Sequence, residues 1–204
     1  MLHYSTIYPQ TLQLLKELQQ IDFIQDYILV GGTSLALQIG HRISVDLDLF
    51  AFTDNDVLTI MNHIHHLGRL QIANQTSKIL NIFIDDIKVD FVSYRYAFIK
   101  NSLEIDGIRL ASIEDIGAMK LAAITGRGSK KDFIDLYFIL KRYSLTELFD
   151  FYNQKFPDGN NFLVFKSLTY FADAELEPMP KMILSTHWEE VKAFITLTVN
   201  KHFP

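Results

Sequence analysis

Residues 27–50 constrain the fold most, because they follow one another as a strand, a glycine turn, a helix and a second strand. The apolar run 27–30 (YILV) predicts a short strand that stops at Gly31-Gly32. A helical stretch then begins at Thr33-Ser34 and closes at Gly40. Residues 44–50 (SVDLDLF) alternate between apolar and polar, which is typical of a strand with one buried face. Two strands that enclose a helix predict an α/β arrangement for this part of the chain.

The rest of the chain divides into a strand-rich first half and a helical second half. Two β-rich runs, 79–84 and 87–94, are separated by Asp85-Asp86 and predict a hairpin. Further segments predict helices at 9–20, 54–67 (capped by Asp54 or Asn55), 112–124 and 131–141, and a strand at 108–110. After residue 144 the patterns favour helix throughout. We therefore expect an α+β fold, with an α/β core over 1–110 and a helical region over 111–204 that completes the active site.

Composition limits the classes of function. The chain has no cysteine, which excludes disulfides, cysteine-based zinc sites and a cysteine nucleophile. We see no signal-peptide pattern and no apolar stretch long enough to span a bilayer, so we expect a cytoplasmic protein with no membrane partner. Because the net charge is −5, a polynucleotide partner would have to bind a local basic patch.

Asp46 and Asp48 are the first candidates for chemistry. Side chains alternate along a strand, so both carboxylates should share one face while Val45, Leu47 and Leu49 point into the core. Two neighbouring carboxylates repel each other unless a cation lies between them, and Mg²⁺ (or Mn²⁺) prefers such oxygen ligands. The alternative is an exposed strand face that carries two acids without a metal.

A third carboxylate strengthens the metal interpretation. In the run 87–92 (IKVDFV), Lys88 and Asp90 form a polar pair on one face of an otherwise apolar strand. A neighbouring strand would place Asp90 beside Asp46 and Asp48. Three carboxylates are enough to hold two metal ions about 3.5–4 Å apart.

The segment Gly31-Gly32-Thr33-Ser34 is a candidate phosphate loop. Glycines let a phosphate approach the backbone, and helix N–H groups with the Thr33 and Ser34 hydroxyls could bind it. The alternative is an ordinary turn before a helix.

Together, these motifs resemble a known family. Residues 29–50 are similar to the signature of the AbiEii/AbiGii toxin family of nucleotidyltransferases, within the DNA polymerase β-like superfamily. Its pattern is a Gly-Gly-Ser/Thr helix start, then Asp-x-Asp, then a later acid. Residues 112–140 also look like two later motifs of this family, a helical lysine and an Arg-x-x-Lys-Lys-Asp-x-x-Asp-Leu segment. The resemblance implies a nucleotidyltransferase fold, with a small mixed sheet flanked by helices and followed by a helical region.

The resemblance also assigns roles to residues. It matches Asp46 and Asp48 to the metal-binding pair and Asp90 to the third carboxylate, which helps to activate an attacking hydroxyl. The remaining matches are a phosphate loop (Gly31, Gly32, Thr33), a hydroxyl residue that is modified in some relatives (Ser44), a triphosphate-binding lysine (Lys120) and a late catalytic acid (Asp132 or Asp135). The last two are three residues apart on one helical face, and the choice between them stays open.

Several of these residues have ordinary structural explanations. Arg42, with His41, could close a helix end, or it could balance the aspartates or touch phosphate. Lys131 lies in the most basic window, 120–142, which could bind phosphate, but it could also form a surface ion pair with Asp135. The spacing of His63, His65 and His66 favours a solvated helix over a metal cluster.

The resemblance to this family implies a metal-dependent enzyme that transfers a nucleotide from a nucleoside triphosphate to an acceptor hydroxyl. It further implies a toxin that acts on RNA, such as the 3′ end of tRNA, or on protein, and that a cognate antitoxin neutralises. Two alternatives are a catalytically silent module that binds nucleotide or a partner, and a metal-dependent hydrolase built on the same aspartates.

Overall fold

The computed structural model describes residues 1–53 and 56–202, which form two compact units. Unit 1 covers Met1–Ser112 and unit 2 covers Ile113–Pro204. Within the described residues, no helix is long and apolar enough to cross a membrane.

Unit 1 is built on a seven-stranded mixed sheet in the order β3-β4-β5-β2-β1-β7-β6. The strands are β1 (Ile28–Leu29), β2 (Leu47–Ala51), β3 (Leu70–Gln75), β4 (Ile79–Ile84), β5 (Ile87–Ser93), β6 (Leu103–Ile105) and β7 (Ile108–Leu110). Its helices are α1 (Pro9–Gln19), α2 (Gly31–Ile39) and α3 (Ile60–Ile64), with short 3-10 turns at Tyr4–Thr6, Asp22–Ile24 and Val57–Thr59. β2 runs parallel to β5 and β1 parallel to β7, while the other neighbours are antiparallel.

One face of the sheet forms the core of unit 1. The buried positions of β2 and β5, such as Leu47, Leu49, Val89 and Phe91, alternate with half-buried ones. The buried set packs in one cluster with leucines of α1, including Leu15. Because side chains alternate along a strand, the opposite face of β2 and β5 carries the half-buried residues, among them the candidate aspartates.

Unit 2 is helical. It contains α4 (Ile113–Gly126), α5 (Lys130–Leu140), α6 (Leu145–Lys155), α7 (Asn161–Ser167), α8 (Ala172–Glu175) and α9 (Trp188–His202). α6 begins with a capping box, in which the Ser144 side chain accepts a hydrogen bond from the Glu147 backbone and Glu147 bonds back to Ser144. The predicted α+β fold, with its mixed sheet and helical C-terminal region, is confirmed.

The structure corrects several local predictions. The helix predicted over 54–67 is only a 3-10 turn followed by α3, and Asp56 supplies the cap; the predicted caps Asp54 and Asn55 lie outside the described residues. Val45 was expected in the core, but it precedes β2 and is 42% exposed. The sequence patterns also missed the edge strands β3 and β6, because β3 is largely exposed and lacks alternation, and β6 has only three residues.

Candidate active site

Asp48 and Asp90 lie side by side on the half-buried face of the sheet. β2 and β5 are adjacent parallel strands, and Asp48 pairs directly with Asp90 in their register. Asp46 lies two residues before Asp48, just outside β2, and it is also half-buried. The fold therefore brings the Asp-x-Asp motif and the later acid together, as the sequence predicted.

A lysine lies within this acidic group. The Lys88 ammonium is 2.6 Å from Asp90 Oδ2, and the two residues are neighbours on one face of β5. Burial alone would lower the pKa of Lys88, but the hydrogen bond to Asp90 and the charges of Asp90, Asp48 and Asp46 together raise it above its ordinary value. The sequence pattern predicts this polar pair but does not assign a role to Lys88.

The carboxylates have the right chemistry for a divalent cation. Asp90 Oδ1 is buried and has no hydrogen-bond partner among the described residues, so it has an unused lone pair suited to a cation. However, no three acidic, histidine or cysteine side chains of the described residues are already grouped closely enough to hold a metal. The donor set therefore fits Mg²⁺ or Mn²⁺, but the carboxylates would have to adjust to bind it.

Position 31 requires a glycine, because it lies against the Asp48 side chain. Its φ of +67° is disfavoured for residues with a side chain, and a Cβ placed there would lie 2.4 Å from Asp48 Oδ2. Gly32 is half-buried beside it in the first turn of α2, which begins at Gly31 rather than at Thr33 as predicted. The glycine turn and the Asp-x-Asp motif are thus in direct contact.

The hydroxyl residues of the predicted phosphate loop are buried. Thr33 Oγ1 lies 2.5 Å from the Asp46 carbonyl, to which it donates, and 2.8 Å from Ser44 Oγ. Ser34 Oγ accepts a hydrogen bond from Gln38 at 3.2 Å. The Thr33 contacts brace the segment before β2, and a role for Thr33, Ser34 or Ser44 toward phosphate stays a prediction.

Arg42 is also buried, and its guanidinium donates to the carbonyl of Ile43 at 3.1 Å. This contact fixes the chain between α2 and β2, so the predicted contact of Arg42 with phosphate also stays a prediction.

In unit 2 the predicted late motifs form a buried charged cluster. Lys120 Nζ lies 2.6 Å from Asp135 Oδ2 and 2.9 Å from Asp132 Oδ1. Asp132 also accepts hydrogen bonds from Arg127 at 2.8 and 3.0 Å and from Ser129 at 2.8 Å. The structure therefore brings the helical lysine and both late acids together.

The surroundings of Asp132 bear on the choice of the late acid. Burial alone would raise its pKa, but the Lys120 charge and the Arg127 hydrogen bond outweigh burial and hold the pKa well below its ordinary value. Both of its oxygens already accept hydrogen bonds. Such a carboxylate is a poor proton acceptor, and Lys120 also contacts Asp135, so the choice of the late base between Asp132 and Asp135 stays open.

The predicted basic window of unit 2 is only partly on the surface. Lys120 and Lys130 are buried, and Lys130 Nζ donates to backbone carbonyls of Glu175 and Glu177. Four basic side chains remain exposed, namely Arg127, Lys131, Lys141 and Arg142. In unit 1 the three candidate histidines are exposed, and His63 stacks on Phe23.

Comparison with known proteins now identifies the family. The family model described as the nucleotidyl transferase AbiEii toxin of a type IV toxin–antitoxin system matches residues 13–201. An uncharacterized protein of Aquifex aeolicus (strain VF5) is 34% identical, over 93% of this chain and 94% of its own length.

Two solved structures share the fold. MenT4, the nucleotidyltransferase toxin Rv2826c of Mycobacterium tuberculosis H37Rv, has a TM-score of 0.64 at 16% identity, covering 93% of this chain and 81% of its own. JHP933 of Helicobacter pylori has a TM-score of 0.55 at 20% identity, covering 96% of this chain and 94% of its own. The resemblance inferred from residues 29–50 is confirmed: the chain belongs to the AbiEii family of nucleotidyltransferase toxins.

Proposed function

We propose that this nucleotidyltransferase uses Mg²⁺ or Mn²⁺, held by Asp46, Asp48 and Asp90, to transfer a nucleoside monophosphate from a nucleoside triphosphate to an acceptor hydroxyl. One observation carries the proposal: Asp48 and Asp90 are register partners on adjacent parallel strands, and Asp46 lies two residues before Asp48. The buried Asp90 Oδ1, which has no hydrogen-bond partner among the described residues, supports a cation at this position.

In the proposed reaction the acceptor oxygen bonds to the α-phosphorus, the bond between that phosphorus and the bridging oxygen breaks, and pyrophosphate leaves. A divalent cation, when bound, neutralises charge that develops on the phosphate oxygens. The hydroxyl proton passes to a carboxylate, for which the family resemblance offers Asp90 or the late acid, Asp132 or Asp135. The partly exposed Gly31 and Gly32 at the start of α2 offer backbone N–H groups to the phosphates.

The acceptor and the biological role are proposed from the family. A member of a toxin–antitoxin system is expected to have a cognate antitoxin, and the acceptor would be RNA, such as the 3′ end of tRNA, or a protein. The exposed Arg127, Lys131 and Lys141 of unit 2 supply positive charge for an RNA backbone. Because the reaction consumes nucleoside triphosphate, the proposal places the protein in the cytoplasm.

A labelling experiment tests the proposal. The purified chain is incubated with each α-labelled ribonucleoside triphosphate, total RNA, and Mg²⁺ or Mn²⁺, with a chelator as a blank. Asp48→Asn keeps the side-chain shape but removes a metal-binding charge, so transfer should fall by at least about a hundredfold. The matched control is Asp26→Asn, which changes an exposed acid of the same unit and should retain wild-type transfer.

The position of the label distinguishes the alternatives. Label on RNA or on protein identifies the acceptor class, whereas a free labelled product indicates a hydrolase. Transfer that survives the chelator or the Asp48→Asn substitution would contradict the proposed use of the carboxylates. Absence of turnover with every triphosphate and both acceptor classes would favour the silent binding module.

A further inference from the structure

Lys88 is a positive charge that the protein itself places at the proposed metal site. We propose that Lys88 competes with the divalent cation for the Asp90 carboxylate and thereby sets the metal affinity of the site. This inference rests on the proposed function, since it requires that the aspartates bind a metal.

The backbone of β5 places Lys88 beside Asp90. Lys88 and Asp90 are two residues apart on the half-buried face of one strand, so their side chains leave the sheet in the same direction. The resulting contact of 2.6 Å between Lys88 Nζ and Asp90 Oδ2 is a charge-assisted hydrogen bond. It occupies an oxygen that a metal ion would otherwise bind.

The charges of the other aspartates extend the effect beyond one pair. The ammonium is attracted by Asp48 and Asp46 as well as by Asp90. An arriving dication is attracted by the same three carboxylates, and it is repelled by the ammonium wherever it enters the group. Removing the positive charge at position 88 should therefore strengthen metal binding.

The exposure of the two partners makes displacement feasible. The Lys88 side chain is 40% exposed, whereas that of Asp90 is 15% exposed. Lysine carries its charge on a flexible four-carbon stem, so the ammonium can move into solvent while Asp90 stays in place. Lys88 can therefore stabilise the group of carboxylates without metal and still make way for the metal.

A purely structural role of Lys88 makes the opposite prediction. If Lys88 only holds Asp90 in its binding orientation, a neutral residue at this position would leave metal affinity unchanged or weaken it. Metal affinity therefore separates the two roles without any measurement of turnover.

The experiment measures Mn²⁺ binding to the 204-residue chain by electron paramagnetic resonance and calorimetry at fixed ionic strength. We expect Lys88→Met to bind Mn²⁺ about two- to fivefold more tightly than wild type, the upper part of the range for loss of a partly exposed charge pair. Lys88→Arg keeps the charge and should stay within about twofold of wild type. Lys16→Met removes the same charge from a half-buried lysine on α1, and it controls for the change in net charge.

The outcomes are distinguishable. If wild type binds Mn²⁺ but Lys88→Met binds it equally or more weakly, the inference is wrong while the proposed metal site stands. If wild type binds no Mn²⁺, both are wrong, since there is no metal for Lys88 to compete with. Circular dichroism checks the fold of each variant, and Lys88→Gln replaces Lys88→Met if the latter is unfolded.

Discussion

The ion pair between Lys155 and Asp115 gives the sharpest stability prediction. It joins the last residue of α6 to the first turn of α4, with a separation of 2.7 Å and no exposure of either side chain. Burial lowers the pKa of Lys155, and the contact with Asp115 opposes that shift. Lys155→Met would leave the Asp115 carboxylate buried without this cation.

The expected loss is large for a single substitution. Breaking a buried ion pair by removing one partner costs about 3–5 kcal/mol, because the remaining charge stays desolvated. In a chain of this size each kcal/mol lowers the melting temperature by about 2–4 °C, so the shift should be roughly 6–20 °C. Replacing both partners, as in Asp115→Leu with Lys155→Met, also removes the buried carboxylate that has lost its lysine, and should recover most of the lost stability.

The assay uses Trp188, the only tryptophan in the chain, which lies in unit 2 with the ion pair. Its fluorescence during urea denaturation reports unfolding of that unit even if the two units unfold in separate steps. The free energy of unfolding is compared for wild type, each single variant and the double variant. The reasoning fails if the single variants lose less than about 1 kcal/mol, or if the double variant is as unstable as Lys155→Met.

Two further predictions address the candidate site residues. Gly31→Ala forces a side chain into a positive φ and against a carboxylate, so the unfolding free energy in urea titrations should fall by about 1–3 kcal/mol and Mn²⁺ binding by calorimetry should weaken. The control Gly126→Ala, where nothing lies within 4 Å of the added Cβ, should leave Mn²⁺ binding unchanged and should not lower the unfolding free energy. The pKa of Asp132 is lower in the folded chain than in the unfolded chain. Its contribution to the free energy of unfolding is therefore complete above the ordinary carboxyl pKa, and it is lost progressively as the pH falls below about 4. Asp132→Asn should therefore lower the free energy of unfolding at neutral pH, and this free energy should fall less steeply in acid than that of wild type. Parallel pH profiles of wild type and variant, measured by Trp188 fluorescence, would contradict this.

The sequence predicted the placement of the acids because local patterns determined it. Alternation predicted β2, and the β-rich composition of 79–84 and 87–94 predicted β4 and β5. The adjacent aspartates 85 and 86 marked the hairpin, where both adopt positive φ. Once β5 lies beside β2, the register that pairs Leu49 with Phe91 also pairs Asp48 with Asp90. The sequence could not show the role of Gly31, since its reason is a contact with a residue seventeen positions later.

The partners of the charged residues were beyond prediction from the sequence. The family resemblance implies that Lys120 contacts the triphosphate and that Asp132 or Asp135 acts as the base, but a motif lists charges without their neighbours. In the folded chain Lys120 and Asp132 neutralise each other in the interior of unit 2, together with Asp135. Burial makes such pairing obligatory, since an unpaired charge in the interior would cost several kcal/mol.

The same reasoning applies to unit 1, where Lys88 is the cation that the motif omits. Three acids at one sheet face would repel each other, and the chain reduces that repulsion with a residue of the strand that carries Asp90. Under the proposed function, this lysine reduces the repulsion between the acids without a metal, and it also competes with the metal for Asp90. Stability without metal and tight metal binding therefore favour different residues at position 88. The difference in Mn²⁺ affinity between wild type and Lys88→Met measures how much metal binding the lysine costs.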